Sequence, residues 1–302
     1  MTEAGELGPQ YAGDNAFTAQ MRLHQSWWRR DRLAVPPGTD QRGNVYGNYL
    51  DVDAAERGLN FLTPSIAAYA AERISSGPGV EEFRCTRNLL SSQPMAFNLF
   101  GPLRDDPALA QRLLDPLLPG GVTEAAVRVE WTPDRTTHLD DRTSCDAVAH
   151  IRDRNGHPTI VAFETKLTEP FSQQHYDPPR YREVARRSEV WTDPEDLSLA
   201  DTKWNQLWRN QLLVEAVRQQ PDADAGLRAL SVVVHHPGDQ RCRDSIDGYR
   251  RHLSPAGSAT FLDLPLDAIV EAWAPLVSGT SHEGWLRDFE DRYLRLDLSD
   301  AG

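Results

Sequence analysis

Asp146, Glu164 and Lys166 are the residues whose types and spacing could do chemistry. Residues 144–153 (SCDAVAHIRD) and 158–168 (PTIVAFETKLT) read as two strands, with the turn signal RNGH between them. In the first, Asp146, Val148 and His150 share a face; in the second, Ile160, Ala162, Glu164 and Lys166 do. Strand interiors disfavour Glu and Lys, so this pair at the end of an apolar run is unusual. Register decides whether Asp146 joins it. A two-residue Asn155-Gly156 turn would set Asp146 opposite Thr165 and turn its carboxylate away. A three-residue loop, Arg154-Asn155-Gly156 with Gly156 left-handed, sets Asp146 opposite Glu164, with Cβ atoms about 5 Å apart.

Two carboxylates at that distance, beside an ammonium, suit a hard divalent cation, Mg²⁺ or Mn²⁺, with the Thr165 carbonyl as a third ligand. Such a centre lowers the pKa of bound water and polarises a phosphoryl oxygen. Lys166 would orient or deprotonate the attacking water, or steady transition-state charge, and arginine could not serve as the base. The contrast is sharp here, because of 32 Lys+Arg only Lys166 and Lys203 are lysines. The bland alternative is a surface Glu-Lys pair on an exposed strand.

The elements that must position these residues follow from pattern. Residues 17–33 read as an amphipathic helix and 35–48 (VPPGTDQRGNVYGN) as a loop. Residues 64–76 and 106–118 read as helices, and 80–100 as two helical pieces, the second capped by Ser91 or Ser92. Then come a strand at 126–133, the hairpin, a helix at 203–220, a buried strand at 229–237, a helix near 241–253, a strand at 259–264 and two closing helices. This order predicts an α/β fold: a mixed sheet flanked by helices, with an N-terminal helical cap. The expected division is a poorly ordered lead-in (1–16), a helical region packed on the core (17–120), the core (121–265) and C-terminal helices (266–302), all in one compact unit.

Composition sets the limits. No stretch reaches the ~18 apolar residues of a membrane span, and the first residues have no basic start or apolar core, so no membrane partner is expected. Cys85, Cys145 and Cys242 are odd in number and far apart, which reads as reduced thiols in a cytoplasmic protein. The net charge of −13 opposes tight non-specific nucleic-acid binding. The charge is uneven, however. Residues 180–252 hold 12 basic and 12 acidic residues, against 3 and 9 in 253–302. An arginine-rich face in 180–252 is the expected polyanion contact.

The segment RTSCDAVAHIRDRNGHPTIVAFETKLTEPF resembles the core of the PD-(D/E)XK nuclease superfamily. GLNFLTPSIAAYAAERI (58–74), RNLLSSQPMAFNLFGPL (87–103), VEWTP (129–133), NQLWRNQLL (205–213) and VVVHHPGDQ (232–240) resemble one bacterial family assigned as restriction endonucleases. The likeness runs from about residue 20 to 275. It implies a restriction-endonuclease-like fold with Asp146, Glu164 and Lys166 as catalytic residues. Two positions depart from the pattern: Cys145 stands where the superfamily has proline, and Asn210 where a histidine is expected.

On the helix 203–220, Gln206, Asn210, Leu213 and Val217 fall within one arc, with Lys203 at its edge and Trp204 and Trp208 opposite. Many nucleases of this superfamily carry a glutamine on such a helix, so Gln206 joins the expected site, with Lys203 and Arg209 as phosphate contacts. Glu130 either extends the acidic cluster or forms a structural ion pair. Ser91, Ser92 and Gln93 either cap a helix or wall the site. Trp27, Trp28, Arg29, Arg30 and Arg32 could stack on and contact nucleic acid, but a paired Trp on a helix reads first as core or interface, and His235 and His236 receive no chemistry. The expectation is a Mg²⁺-dependent endonuclease cutting DNA in bacterial restriction or defence, alone, as a homodimer or with a defence-system partner protein. Its rivals are a non-catalytic nucleic-acid-binding or scaffold protein, an RNase with the same site, and a glycosidase-like pair of acids.

Overall fold

The computed structural model describes residues 7–77, 79–134 and 138–299. The chain forms two compact units rather than the single one expected. The first is Met1–Pro102, Leu167–Glu169 and Leu266–Gly302; the second is Leu103–Lys166 and Pro170–Pro265. The C-terminal helices therefore belong with the N-terminal region and do not form a separate tail on the core.

The first unit begins with α1 (Ala16–Trp27), capped by the Asn15 side chain and prolonged by one wide turn, Trp28–Arg32. The lead-in is fixed sooner than expected: Leu7 is buried, and Pro9 accepts a hydrogen bond from the Gly47 amide. The loop expected at 35–48 is instead an antiparallel pair, β1 (Pro37–Thr39) and β2 (Val45–Leu50). Glycine permits this, because a Cβ on Gly38 would lie 2.1 Å from the Leu50 carbonyl oxygen. After α2 (Val52–Glu56) come α3 (Pro64–Ser75), α4 (Glu82–Arg87) and α5 (Ser92–Arg104), with Pro94 tolerated in the first turn of α5. From the C-terminal end, α11 (Leu266–Val277) and α12 (Glu283–Tyr293) complete this unit. Trp27 and Trp28 are core, and Arg29 is buried, donating to the carbonyls of Gly47 and Leu7.

In the second unit, α6 (Pro107–Leu114) packs on β3 (Glu124–Trp131), the edge of a five-stranded sheet. The strand order is β3, β4 (Cys145–Arg152), β5 (Pro158–Lys166), β6 (Arg228–His235) and β7 (Phe261–Pro265). The first three form an antiparallel meander; β6 runs parallel to β5, and β7 to β6. β5 is central, and every residue from Thr159 to Lys166 is buried. That is why its middle, Ile160 to Phe163, reads as an unbroken apolar run rather than an alternation. The connections are α7 (Pro179–Arg186), α8 (Asn205–Arg218), α9 (Gln240–Arg250) and α10 (Pro255–Ala259). Trp208, Leu212 and Leu213 of α8 share a core with Val148, Ile160, Ala162 and Val233 of the sheet. Among the described residues no helix is long and apolar enough to cross a membrane.

Candidate active site at the end of the central strand

The turn between β4 and β5 is the three-residue loop that the register requires. The Asp153 amide donates to the His157 carbonyl at 3.1 Å, and Gly156 sits at φ +81. Ladder pairs run from Arg152–Pro158 to Ala147–Phe163, so the next position sets Asp146 across from Glu164. The Thr165 amide and hydroxyl both donate to Asp146 Oδ2 at 2.7 Å. Its other oxygen receives no hydrogen bond from a described residue.

Glu164 is buried and held from three directions. Gln206 Nε2 donates to Oε1 and Asn210 Nδ2 to Oε2, each at 2.7 Å, and the Lys166 ammonium lies 2.7 Å from Oε1. Lys166 also donates to Gln206 Oε1 at 3.3 Å and lies 5.1 Å from the centre of the Phe171 ring. The Ser172 amide donates to Gln206 Oε1 at 2.8 Å, so Gln206 joins Glu164, Lys166 and the loop after β5. Burial, and then the nearby Glu164 charge, push the Asp146 carboxyl up to about 7, although Lys166 and the Thr165 donors pull it down. Burial also raises the Cys145 thiol, which feels Glu164, Asp146 and Glu130.

The profile of the PD-(D/E)XK nuclease superfamily matches residues 12–295, nearly the whole chain. The chain belongs to the PD-(D/E)XK nuclease superfamily. No curated protein and no solved structure matches it. The mixed five-stranded sheet with flanking helices is consistent with the restriction-endonuclease-like fold of that superfamily.

Within this PD-(D/E)XK chain, Asp146, Glu164, Thr165, Lys166 and Gln206 come together at the end of β5. Lys203 and Arg209, expected as phosphate contacts, lie outside this cluster. α8 begins at Asn205, so Lys203 lies in the preceding turn, exposed, with its amide bonded to Asp201. Arg209 is turned inward: Nη2 donates to Thr143 Oγ1 at 2.9 Å, Nε donates to Tyr181 Oη at 3.0 Å, and the guanidinium stacks on Tyr176. It braces the approach to β4 instead of facing solvent. Glu130 lies across from Asp146 on β3, buried and at φ +54, a strained backbone for a residue with a side chain. In the first unit, Ser92 donates its amide (2.8 Å) and hydroxyl (3.2 Å) to Glu169. His235 pairs with Lys166 in the ladder, and its Nε2 lies 3.7 Å from Asp263.

The residue that sequence reasoning missed is Asn210. Its signal was present: it stands one helical turn after Gln206, and the departure from histidine kept a donor that reaches Glu164. Among the described residues no cluster of three His, Cys, Asp or Glu side chains could hold a metal. The donor set at the end of β5 is two carboxylates and backbone oxygen. That fits Mg²⁺, which is bound through one or two carboxylates and keeps several waters. The Asp146 oxygen that has no donor among the described residues is consistent with such a ligand.

Proposed function

We propose that this chain is a Mg²⁺-dependent endonuclease that hydrolyses phosphodiester bonds of DNA in a bacterial restriction or defence setting. The observation that carries the reading is the convergence of Asp146, Glu164, Lys166 and Gln206 at one strand end. Asp146 and Glu164, with the Thr165 carbonyl, would hold the cation, which when bound lowers the pKa of water and neutralises phosphoryl charge. Thr165 orients Asp146 through its amide and hydroxyl. Gln206 and Asn210 fix Glu164, so that Lys166 can exchange its ion pair for the attacking water or the phosphoryl oxygen. Polyanion contacts come from arginines of 180–252 that face solvent, with Lys203 in the turn before α8.

The test is incubation of the protein with plasmid DNA and with RNA, in Mg²⁺, Mn²⁺ or EDTA, beside Lys166→Ala. The expected result is cutting of DNA in Mg²⁺ or Mn²⁺, abolished by EDTA and by the substitution. Cutting of RNA alone would move the same site to an RNase. Cutting that survives both EDTA and Lys166→Ala would defeat the reading.

A further inference from the structure

A cavity of about 630 Å³ lies in the second unit, at the other end of the sheet from Lys166. Thr159 near the start of β5 lines it, whereas Lys166 ends that strand, about 23 Å away at the ~3.3 Å rise of a strand. Its size falls within the ~300–1,000 Å³ of small-molecule sites. Val190, Leu227, Leu230, Ala256 and Ala259 give it an apolar floor.

The polar groups of the wall are specific. Two buried acids each meet an arginine: Asp153 meets Arg228 at 3.0 Å, and Glu215 meets Arg218 at 2.6 Å. Asp153 is also filled by the amides of Asn155 and His157. Glu215 is different. Ser188 and Arg218 both donate to its Oε2, and its Oε1 receives no hydrogen bond from any described residue, although the side chain is 4% exposed. Glu215 lines the cavity, so this oxygen can accept a hydrogen bond from a ligand held there. Arg187, also on the wall, has no side-chain partner among the described residues, and neither does Glu189. The charges of the wall therefore cancel, and the cavity suits a ligand that carries both a donor and an anion.

We propose that this cavity binds a nucleoside phosphate whose base carries an exocyclic amino group. The ring lies on the apolar floor, the amino group donates to Glu215 Oε1, and the phosphate meets Arg187 and the outer face of Arg228. An amino acid would satisfy the same two poles but would leave the floor uncovered. The site goes beyond the proposed nuclease activity and does not depend on it.

The test is titration calorimetry on the full chain with AMP, IMP, adenosine and orthophosphate. IMP replaces the amino group with a carbonyl oxygen, so it sets an acceptor against Glu215. Three variants accompany the wild type: Arg187→Glu, Ala259→Trp to fill the cavity, and Asp146→Ala. Arg187 and Ala259 are exposed, so both substitutions should leave the fold intact. AMP should bind at one site. IMP, adenosine and orthophosphate should each be at least about tenfold weaker, as should AMP binding to Arg187→Glu and Ala259→Trp. Asp146→Ala should bind AMP like wild type. The proposal falls if AMP does not bind, if IMP or orthophosphate matches it, if Arg187→Glu has no effect, or if Asp146→Ala abolishes binding. That last result would place AMP at the carboxylate pair. Plasmid cleavage is scored separately, so failure of either reading leaves the other standing.

Discussion

Lys166 is a buried ammonium whose charge is answered by Glu164 at 2.7 Å and which lies 5.1 Å from the centre of the Phe171 ring. A guanidinium is larger, planar and effectively always charged, so it fits neither the space nor a proton-transfer role. Lys166→Arg should therefore lower DNA cleavage at least about 100-fold, nearly as far as Lys166→Ala. Exposed Lys203→Arg should stay within about twofold. Full activity in Lys166→Arg would mean that charge alone suffices there. Asp146 supplies a pH signature. Its carboxyl is raised to about 7, so the folded chain holds that proton more tightly than the unfolded chain does. Its stabilising contribution in EDTA is present below the ordinary carboxyl range and is lost as pH rises from about 4 through about 7. Cation binding needs the ionised form and should gain over the same interval. Thermal unfolding in EDTA and in Mg²⁺ should show a Mg²⁺ shift that grows as pH rises towards about 7, levels off above it, and vanishes in Asp146→Asn. A shift independent of pH would remove Asp146 from the cation site. Asp146, Glu164 and Lys166 were legible because strand alternation and one rare lysine mark them. Arg209 was misread because a sequence shows that a charge exists, not which hydroxyls and rings stand around it.

The hairpin that joins β4 to β5 carries the register, and Gly156 is its pivot. A Cβ there would meet nothing within 4 Å, so Gly156→Ala costs only the left-handed backbone. Denaturant unfolding should show a loss of about 1 kcal/mol, with cleavage per folded molecule unchanged. A much larger loss, or a loss of activity without unfolding, would mean that the register slips. This element was readable because loop length and glycine placement together permit few pairings. β3 to β7 were readable because their runs are apolar and bounded by turn residues. The β1–β2 pair was not: its Gly, Pro and Asn residues are turn formers, and they form a ladder only because Gly38 lets the backbones close. The start of α8 was placed two residues early, since Lys203 and Trp204 continue the polar pattern while the Asp201 turn holds them outside the helix.

Charge acts on the whole molecule. At −13, the chain should bind DNA weakly while Asp146 and Glu164 are bare. A divalent cation reverses the local sign. Fluorescence anisotropy should show tighter binding in Ca²⁺ than in EDTA, with most of that difference gone in Asp146→Ala and the residue weakened by salt. Equal affinity in all four conditions would mean that the carboxylates do not face the nucleic acid. The division into two units was not legible, because nothing in composition marks 103 or 266 as a boundary; packing partners far apart in the chain decide it. Those partners have a temporal consequence. In the first unit, Gln25 donates to the Arg292 carbonyl at 2.8 Å, and Arg292 donates to Asn60 Oδ1 at 2.6 Å. The second unit is complete once residue 265 has been made, whereas the first must wait for α12. In synthesis, which runs from the N-terminal side, every strand of the sheet that carries Glu164 is therefore available before α12, the packing partner of α1, has been made.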